Sequence, residues 1–200
     1  SQFLDFHSRY YHPANSYIYL YGNMDMEERL NWMDEKYLSK YDAIPVDSAI
    51  AKQKPFDEVK EISMEYPVSE SEPEEENSYL SYNIVTGDSL DVEQSTAFEI
   101  LDYTLLSAAG APLKQALLDA GMGKDIMGSY EDGIYQPFFS IVAKNARPEN
   151  KDAFVKLIRD TLSEIAEKGI DRKAIAAGIN YLEFRFREAD YSSFPKGLMY

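Results

Sequence analysis

Cysteine is absent from this 200-residue chain, and histidine occurs only at His7 and His12. Without cysteine there are no disulfides and no thiolate metal sites, and cysteine usage gives no sign of the redox compartment. No apolar run approaches the roughly 20 residues that a membrane-spanning helix needs, and no segment resembles a signal peptide. We therefore expect a soluble protein, with the cytoplasm as the expected compartment.

Basic residues are also scarce. The chain has 20 Lys and Arg against 35 Asp and Glu, which gives a net charge of -15. This excludes the basic footprint that binding to a nucleic acid backbone requires. The charge is compatible with a cationic partner, although acidic surfaces more often serve solubility. With 44% apolar residues, the chain can build a core for one domain, or for one domain and a fragment of another.

The two histidines do not have the spacing of a zinc site. His7 and His12 are five residues apart, and Pro13 ends the helix expected around His7. A zinc peptidase needs two histidines about one helical turn apart with a carboxylate ligand and a general base, and neither H-E-x-x-H nor H-x-x-E-H occurs. No P-loop, G-x-G-x-x-G or G-x-S-x-G motif is present. The residues therefore predict no catalytic or metal site, and the histidines are interpreted as structural or surface residues.

Periodicity predicts a helix, a strand and a helix in residues 1–41. The first helix covers residues 2–10, the strand covers Tyr17–Tyr21 with alternating side chains, and Asp25 caps the second helix. Residues 42–56 are polar and bracketed by prolines, which predicts a linker.

Residues 57–200 are predicted to form a second domain of the α+β class. Antiparallel hairpins with helices between them favour a mainly antiparallel sheet covered by helices on one face. The run Ser69–Asn77, with five glutamates, is predicted to be a solvated hairpin loop, and an acidic docking patch is the alternative. The strands are expected at about 58–66, 79–86, 125–132 and 136–144, and the helices at 91–107, 112–120, 148–168 and 172–186.

Three segments match one known pattern in the same order along the chain. The first runs from Phe3 to Asp42 and contains "YYHPAN" before a strand pattern that ends at Gly22-Asn23. The second is "LLSAAGAPLKQALLDAGMGKDI", a helix, a loop and a helix, and the third is "LEFRFREADYSSFPKGL". Together they resemble the pitrilysin/insulinase family of zinc peptidases, in its presequence-protease-like branch.

The resemblance implies an internal, non-catalytic piece of a larger zinc metalloendopeptidase that degrades unfolded peptides. The family's inverted zinc motif and its distal glutamate lie upstream of the matching segment, so zinc is implied for the parent and no cofactor for this chain. Residues 1–41 would end the catalytic domain, 42–56 would be the linker, and 57–200 would be a second, non-catalytic domain that is truncated before its end. In the family two such halves enclose a chamber, and the implied partners are the remainder of the parent chain and unfolded peptides, with no nucleic acid or membrane.

The loop between the two helices of the second segment is the candidate substrate site. In the related fold this loop lies close to the chamber, which makes Ala109, Gly110 and Ala111 the candidate substrate-binding residues. Small side chains would let a peptide or a neighbouring domain approach closely. A plain connection between two helices is the alternative interpretation.

Two other functions stay open at this point. The chain could be a binding or scaffold module of a catalytically inactive relative, which an upstream sequence without H-x-x-E-H would indicate. It could instead be an unrelated ferredoxin-like interaction domain, which would lack the helix–loop–helix at 91–120. Because an isolated strand with open edges is a liability, we also expect residues 1–41 to dock onto the second domain's sheet, in the same chain or by strand exchange in a dimer.

Overall fold

The computed structural model describes residues 1–70, 75–188 and Gly197. The chain divides into two compact units: residues 1–53 with Gly197 form the first, and Lys54–Glu188 form the second. The loop predicted for "SSFPKG" lies, apart from Gly197, outside the described residues.

The first unit contains the two predicted helices, α1 (Gln2–Tyr10) and α2 (Met26–Lys36). Asp25 caps α2 as predicted, since its Oδ1 accepts the Glu28 N–H at 3.0 Å. Short 3-10 turns follow each helix, at Pro13–Asn15 and Leu38–Lys40. Within the part of the chain that the structure describes, neither helix has a buried residue.

The strand predicted at Tyr17–Tyr21 is wrong. This described segment has no ladder hydrogen bonds, and Tyr17 is fully exposed while Ile18 and Tyr19 are more than half exposed. The Tyr19 hydroxyl donates to the Gly197 carbonyl at 2.6 Å instead. Alternating side chains suit a strand, but a strand forms only where a neighbour supplies hydrogen-bond partners, and residues 1–53 contain no other described strand. The sequence predicts that this strand docks onto a sheet, within the chain or by exchange in a dimer. Because Tyr17–Tyr21 does not form a strand, that prediction has no structural basis here.

The second unit is a three-stranded antiparallel sheet with helices, in the strand order β1-β3-β2. The elements predicted from 79 onwards all appear. Their bounds are β1 Ser78–Val85, α3 Val92–Asp102, a π-helical turn Tyr103–Ser107, α4 Pro112–Asp119, β2 Asp125–Glu131, β3 Phe138–Ala146, a 3-10 turn Pro148–Asn150, α5 Lys151–Lys168 and α6 Arg172–Glu188.

One face of this sheet carries the hydrophobic core. Leu80 of β1 and Ile126 of β2 both pair with Ala143 of β3, and all three are buried. Leu117 of α4 and Phe154 of α5 belong to the same buried cluster. On the opposite face the side chains are largely solvent-exposed, as Val85 at 62% and Met127 at 42% show. The predicted α+β layer, with helices on one face of an antiparallel sheet, is confirmed.

The strand predicted at 58–66 is also wrong. In this segment Ile62 and Met64 are each 82% exposed, and the described backbone pairs with no strand. Its contacts are made by side chains: Glu61 forms an ion pair with Lys151 at 2.7 Å, and the Tyr66 ring meets Tyr79 edge-on at 5.8 Å. Alternating apolar residues predict a strand, but this segment forms no backbone ladder with either edge strand of the sheet, β1 or β2.

The acidic run therefore does not connect two strands. Residues 71–74 lie outside the described part of the chain. At the end of the run, Glu76 accepts from the Arg147 guanidinium at 2.6 Å and lies 3.1 Å from Lys124 Nζ. This glutamate is an ion-paired residue next to the sheet, which differs from the solvated loop predicted for it.

Candidate functional site

The candidate loop follows a helix that changes its register at its end. After α3 the chain continues into the π turn Tyr103–Ser107, where the Ala108 N–H donates to the Tyr103 carbonyl at 2.8 Å. Leu105 and Leu106 of this turn are buried in the core. The loop therefore starts from a point that core packing fixes.

The other end of the loop is fixed in the same way. Pro112 occupies the first turn of α4, where a missing N–H costs nothing, and Leu113 is fully buried. Within the loop, the Ala111 N–H donates to the Ala108 carbonyl at 3.1 Å, which closes a tight turn. Gly110 lies in this turn with φ +72°, a left-handed conformation that favours glycine.

The loop and α4 form a concavity of about 220 Å³. The segment Ser107–Ala111 lines one side, and Lys114, Gln115 and Leu118 line the other. Lys114 Nζ lies 3.4 Å from Asp125 Oδ1, and Gln115 Nε2 donates to Asp119 Oδ1 at 2.7 Å. Both polar side chains therefore already have partners.

The three candidate residues differ in exposure. Ala109 and Gly110 are exposed, whereas Ala111 is only 3% exposed and its methyl group packs inward. No described atom lies within 4 Å of the point where a Cβ on Gly110 would stand, so this glycine serves the backbone turn more than it saves space. A ligand at the loop can reach the surface of Ala109 and Gly110, while Ala111 anchors the loop to the core.

Sequence reasoning missed a second, smaller cavity of about 110 Å³ beside the π turn. Its lining includes Glu99, Asp102, Tyr181 and Arg185. Burial raises the pKa of Asp102, and the hydrogen bond from Ser107 opposes that rise. The pKa of Glu99 is raised as well, first by burial and then by the charge of a nearby aspartate.

Asp102 has an unusual environment for a carboxylate. Its Oδ1 is buried and has no hydrogen-bond partner among the described residues, while its Oδ2 accepts from the Ser107 hydroxyl at 3.3 Å. The sequence contained a signal for this, because Asp102 follows Phe98 by four residues and precedes Leu105 by three. At those spacings it belongs to the apolar stripe of its helix.

Neither histidine is arranged to bind a metal ion. His12 Nδ1 accepts the Ala14 N–H at 3.1 Å, and the His7 ring stacks on Tyr11 at 4.6 Å between ring centres. No group of three or more potential ligands is close enough to hold a metal within residues 1–70, 75–188 and Gly197. These residues do not fit the zinc ion that the resemblance implies for the parent. No helix in the described ranges combines the length and the apolarity that crossing a membrane would take.

Comparison with known proteins identifies relatives over nearly the whole chain. The family model of the peptidase M16 inactive domain matches residues 1–182. Protein HypA of Clostridium perfringens is 45% identical over 199 residues, which cover 100% of this chain and 20% of HypA. Presequence protease 1 (chloroplastic/mitochondrial) of Arabidopsis thaliana is 35% identical over 201 residues, 98% of this chain and 18% of that protein. The mitochondrial presequence protease of Xenopus laevis is 26% identical over 195 residues, 96% and 19% of the two chains. The chain thus spans about a fifth of the length of these curated relatives.

Proposed function

Because the chain belongs to the peptidase M16 family through its inactive domain, we propose that it is a chamber-wall and scaffold segment of a zinc-dependent metalloendopeptidase that degrades unfolded peptides. The family match over residues 1–182, in a chain without H-x-x-E-H, is the observation that carries this proposal. Relatives named as proteases, five times as long as this chain, support it. The catalytic zinc site belongs, in this proposal, to another part of the parent.

The loop is the proposed point of contact with peptide. Ala109 and Gly110 are exposed at the rim of the concavity, and their small side chains leave the backbone accessible. Ala111 takes part by holding the loop in place, since its own methyl group is buried. An extended peptide can hydrogen-bond to such backbone groups without regard to its sequence, which suits an enzyme for unfolded chains.

The remainder of the parent chain is the proposed partner of the first unit. This unit exposes many aromatic side chains, and large exposed apolar patches mark interaction sites. A second copy of the chain is the alternative cover for the same residues, in a dimer. The exposed aromatic residues of this unit are Phe3, Phe6, Tyr11, Tyr17, Tyr19, Tyr21, Trp32, Tyr37 and Tyr41.

The test uses the full-length parent and a pair of matched substitutions. Ala109→Trp places an indole at the rim of the concavity, whereas Ala120→Trp places one at the exposed end of α4. If the loop binds peptide, Ala109→Trp raises KM severalfold with a smaller change in kcat, and Ala120→Trp changes neither. Equal kinetics for both variants and the wild type would remove the loop from the substrate path.

The alternative is that this chain is a binding or scaffold module of a catalytically inactive relative. The two proposals differ only in whether the parent's upstream sequence contains the zinc motif. A parent that lacks H-x-x-E-H and shows no peptide cleavage would establish it. The cytoplasm stays our prediction for the compartment. Two of the relatives are instead named for chloroplasts or mitochondria.

A further inference from the structure

The hydrogen bond between Ser107 and Asp102 spans five residues of a helix. The Ser107 hydroxyl donates to Asp102 Oδ2 at 3.3 Å. In an α-helix with 3.6 residues per turn, residues five apart are rotated by about 140° from each other, so their side chains do not face. In a π turn the backbone bond joins residues five apart, which brings the two side chains onto one side. This side-chain pair therefore exists only while the π turn exists.

The backbone shows the same register. The Ala108 N–H reaches the Tyr103 carbonyl at 2.8 Å, a span of five residues. In the α register that N–H would bond to Thr104 instead. The helix end would then be shifted by one residue, and the chain would enter the loop rotated by about 100° around the helix axis from its present direction.

Two glycines make room for the π turn on neighbouring elements. A Cβ on Gly128 of β2 would lie 2.5 Å from Asp102 Oδ1 and 2.8 Å from Leu106 Cβ. A Cβ on Gly178 of α6 would lie 3.0 Å from Thr104 Oγ1. The turn is thus confined between a strand and a helix, and the Asp102 carboxylate stays there although its Oδ1 has no described partner. Such an unsatisfied group calls for a role that outweighs its cost.

We propose that Asp102 is a positioning residue for the loop Ala108–Ala111. By accepting the Ser107 hydroxyl it holds the end of the helix in the π register, and this register sets the direction in which the loop leaves. The Ser107–Asp102 and Ala108–Tyr103 hydrogen bonds define this register without reference to any ligand. The consequence of the π register for peptide binding rests on the proposed function, with Asp102 as the group that orients the same site.

The first test follows the register directly in the full 200-residue chain. Scalar coupling across hydrogen bonds, measured by NMR, identifies the carbonyl that accepts the Ala108 N–H. We expect coupling to Tyr103 in the wild type, and its loss or transfer to Thr104 in Asp102→Ala and Ser107→Ala, with amide exchange of Ala108 at least tenfold faster. Asp119→Ala is the matched control, because Asp119 accepts a side-chain bond on the surface of α4.

Conservative variants separate the hydrogen bond from simple packing. Asp102→Asn keeps an acceptor and Ser107→Thr keeps a donor, so both are expected to retain the coupling between Ala108 and Tyr103. The proposal is overturned if both alanine variants keep that coupling, or if the conservative variants lose it as the alanine variants do. Should Asp102→Ala fail to fold, Ser107→Ala decides alone, because Ser107 is exposed.

The second test connects the register to the site. A fluorescein-labelled peptide of five Gly-Lys-Ala-Leu repeats is titrated with the wild type and with Ser107→Ala, and binding is followed by anisotropy. We expect the variant to bind at least threefold more weakly. Equal affinity despite a changed register would overturn the link between Asp102 and the site. If the wild type itself does not bind, the proposed peptide contact fails, while the register result still decides the role of Asp102.

Discussion

The Arg147 guanidinium lies 2.6 Å from the Glu76 carboxylate, and this contact joins the chain after β3 to the chain before β1. Lys124, which precedes β2, lies 3.1 Å from the other oxygen of the same carboxylate. Glu76 also has φ 56°, a conformation uncommon for a residue with a side chain. One carboxylate thus connects the ends of all three strands, and it belongs to the last glutamate of the acidic run.

Glu76→Gln is expected to lower stability at neutral pH and to have little effect in acid. The hydrogen bonds from Arg147 and Lys124 lower the pKa of Glu76, so its contribution is present above the unfolded-state pKa and is lost as pH falls through the folded-state pKa. Urea unfolding at pH 7 and pH 3 checks this, with Glu75→Gln as the neighbouring control. An equal loss at both pH values would contradict the ion-pair account.

Asp102→Asn is expected to show the opposite dependence on pH. Burial raises the pKa of Asp102, so its contribution is present below the unfolded-state pKa and is lost as pH rises through the folded-state pKa. The free energy of unfolding of the variant, relative to the wild type, should therefore increase between pH 4 and pH 7. Asp119→Asn, on the exposed surface of α4, is the control. A relative stability that falls over this range would mean that the carboxylate is stabilised in its charged form.

Gly128→Ala is expected to destabilise the protein by about 1–3 kcal/mol, because the added methyl group overpacks the π turn. The methyl carbon would lie 2.5 Å from Asp102 Oδ1 and 2.8 Å from Leu106 Cβ, so either the strand or the turn must move. Chemical denaturation measures the effect. Ser129→Ala, on the open face of the same strand, should stay within about 0.5 kcal/mol of the wild type. Similar values for the two variants would show that the turn adapts freely.

The helices could be predicted because their signals are local. Asp25 caps α2 through a hydrogen bond to the N–H three residues on, as the sequence predicts, and Asp91 caps α3 in the same way. Gly169, with φ +81°, ends α5 where the apolar period stops. Such signals depend on a few neighbouring residues, and tertiary contacts did not override them.

The two strand predictions were wrong because strand formation requires a partner strand elsewhere in the chain. Tyr17–Tyr21 and residues 58–66 both alternate, yet neither segment pairs with a described strand. Strand β2, by contrast, pairs with β3 over its whole length. Period-two patterning describes a surface that suits a sheet, and the presence of the sheet is a separate, non-local condition.

In the candidate site, too, local features could be predicted from the sequence and features set by tertiary packing could not. The loop and its small residues were visible in the sequence, whereas the burial of Ala111 and the π turn before it were not. A bond that spans five residues leaves no periodic trace over a single turn. Asp102 on an apolar stripe was the one available indication that this helix end is irregular.

Cleavage of a quenched fluorogenic peptide is the most direct test of our proposal that this chain is a non-catalytic part of a zinc peptidase. The 200-residue chain and its full-length parent are assayed side by side, with and without a chelator, and their zinc content is measured after dialysis. We expect chelator-sensitive cleavage and bound zinc in the parent, and neither in the chain alone. Chelator-sensitive cleavage or stoichiometric zinc in the isolated chain would contradict it.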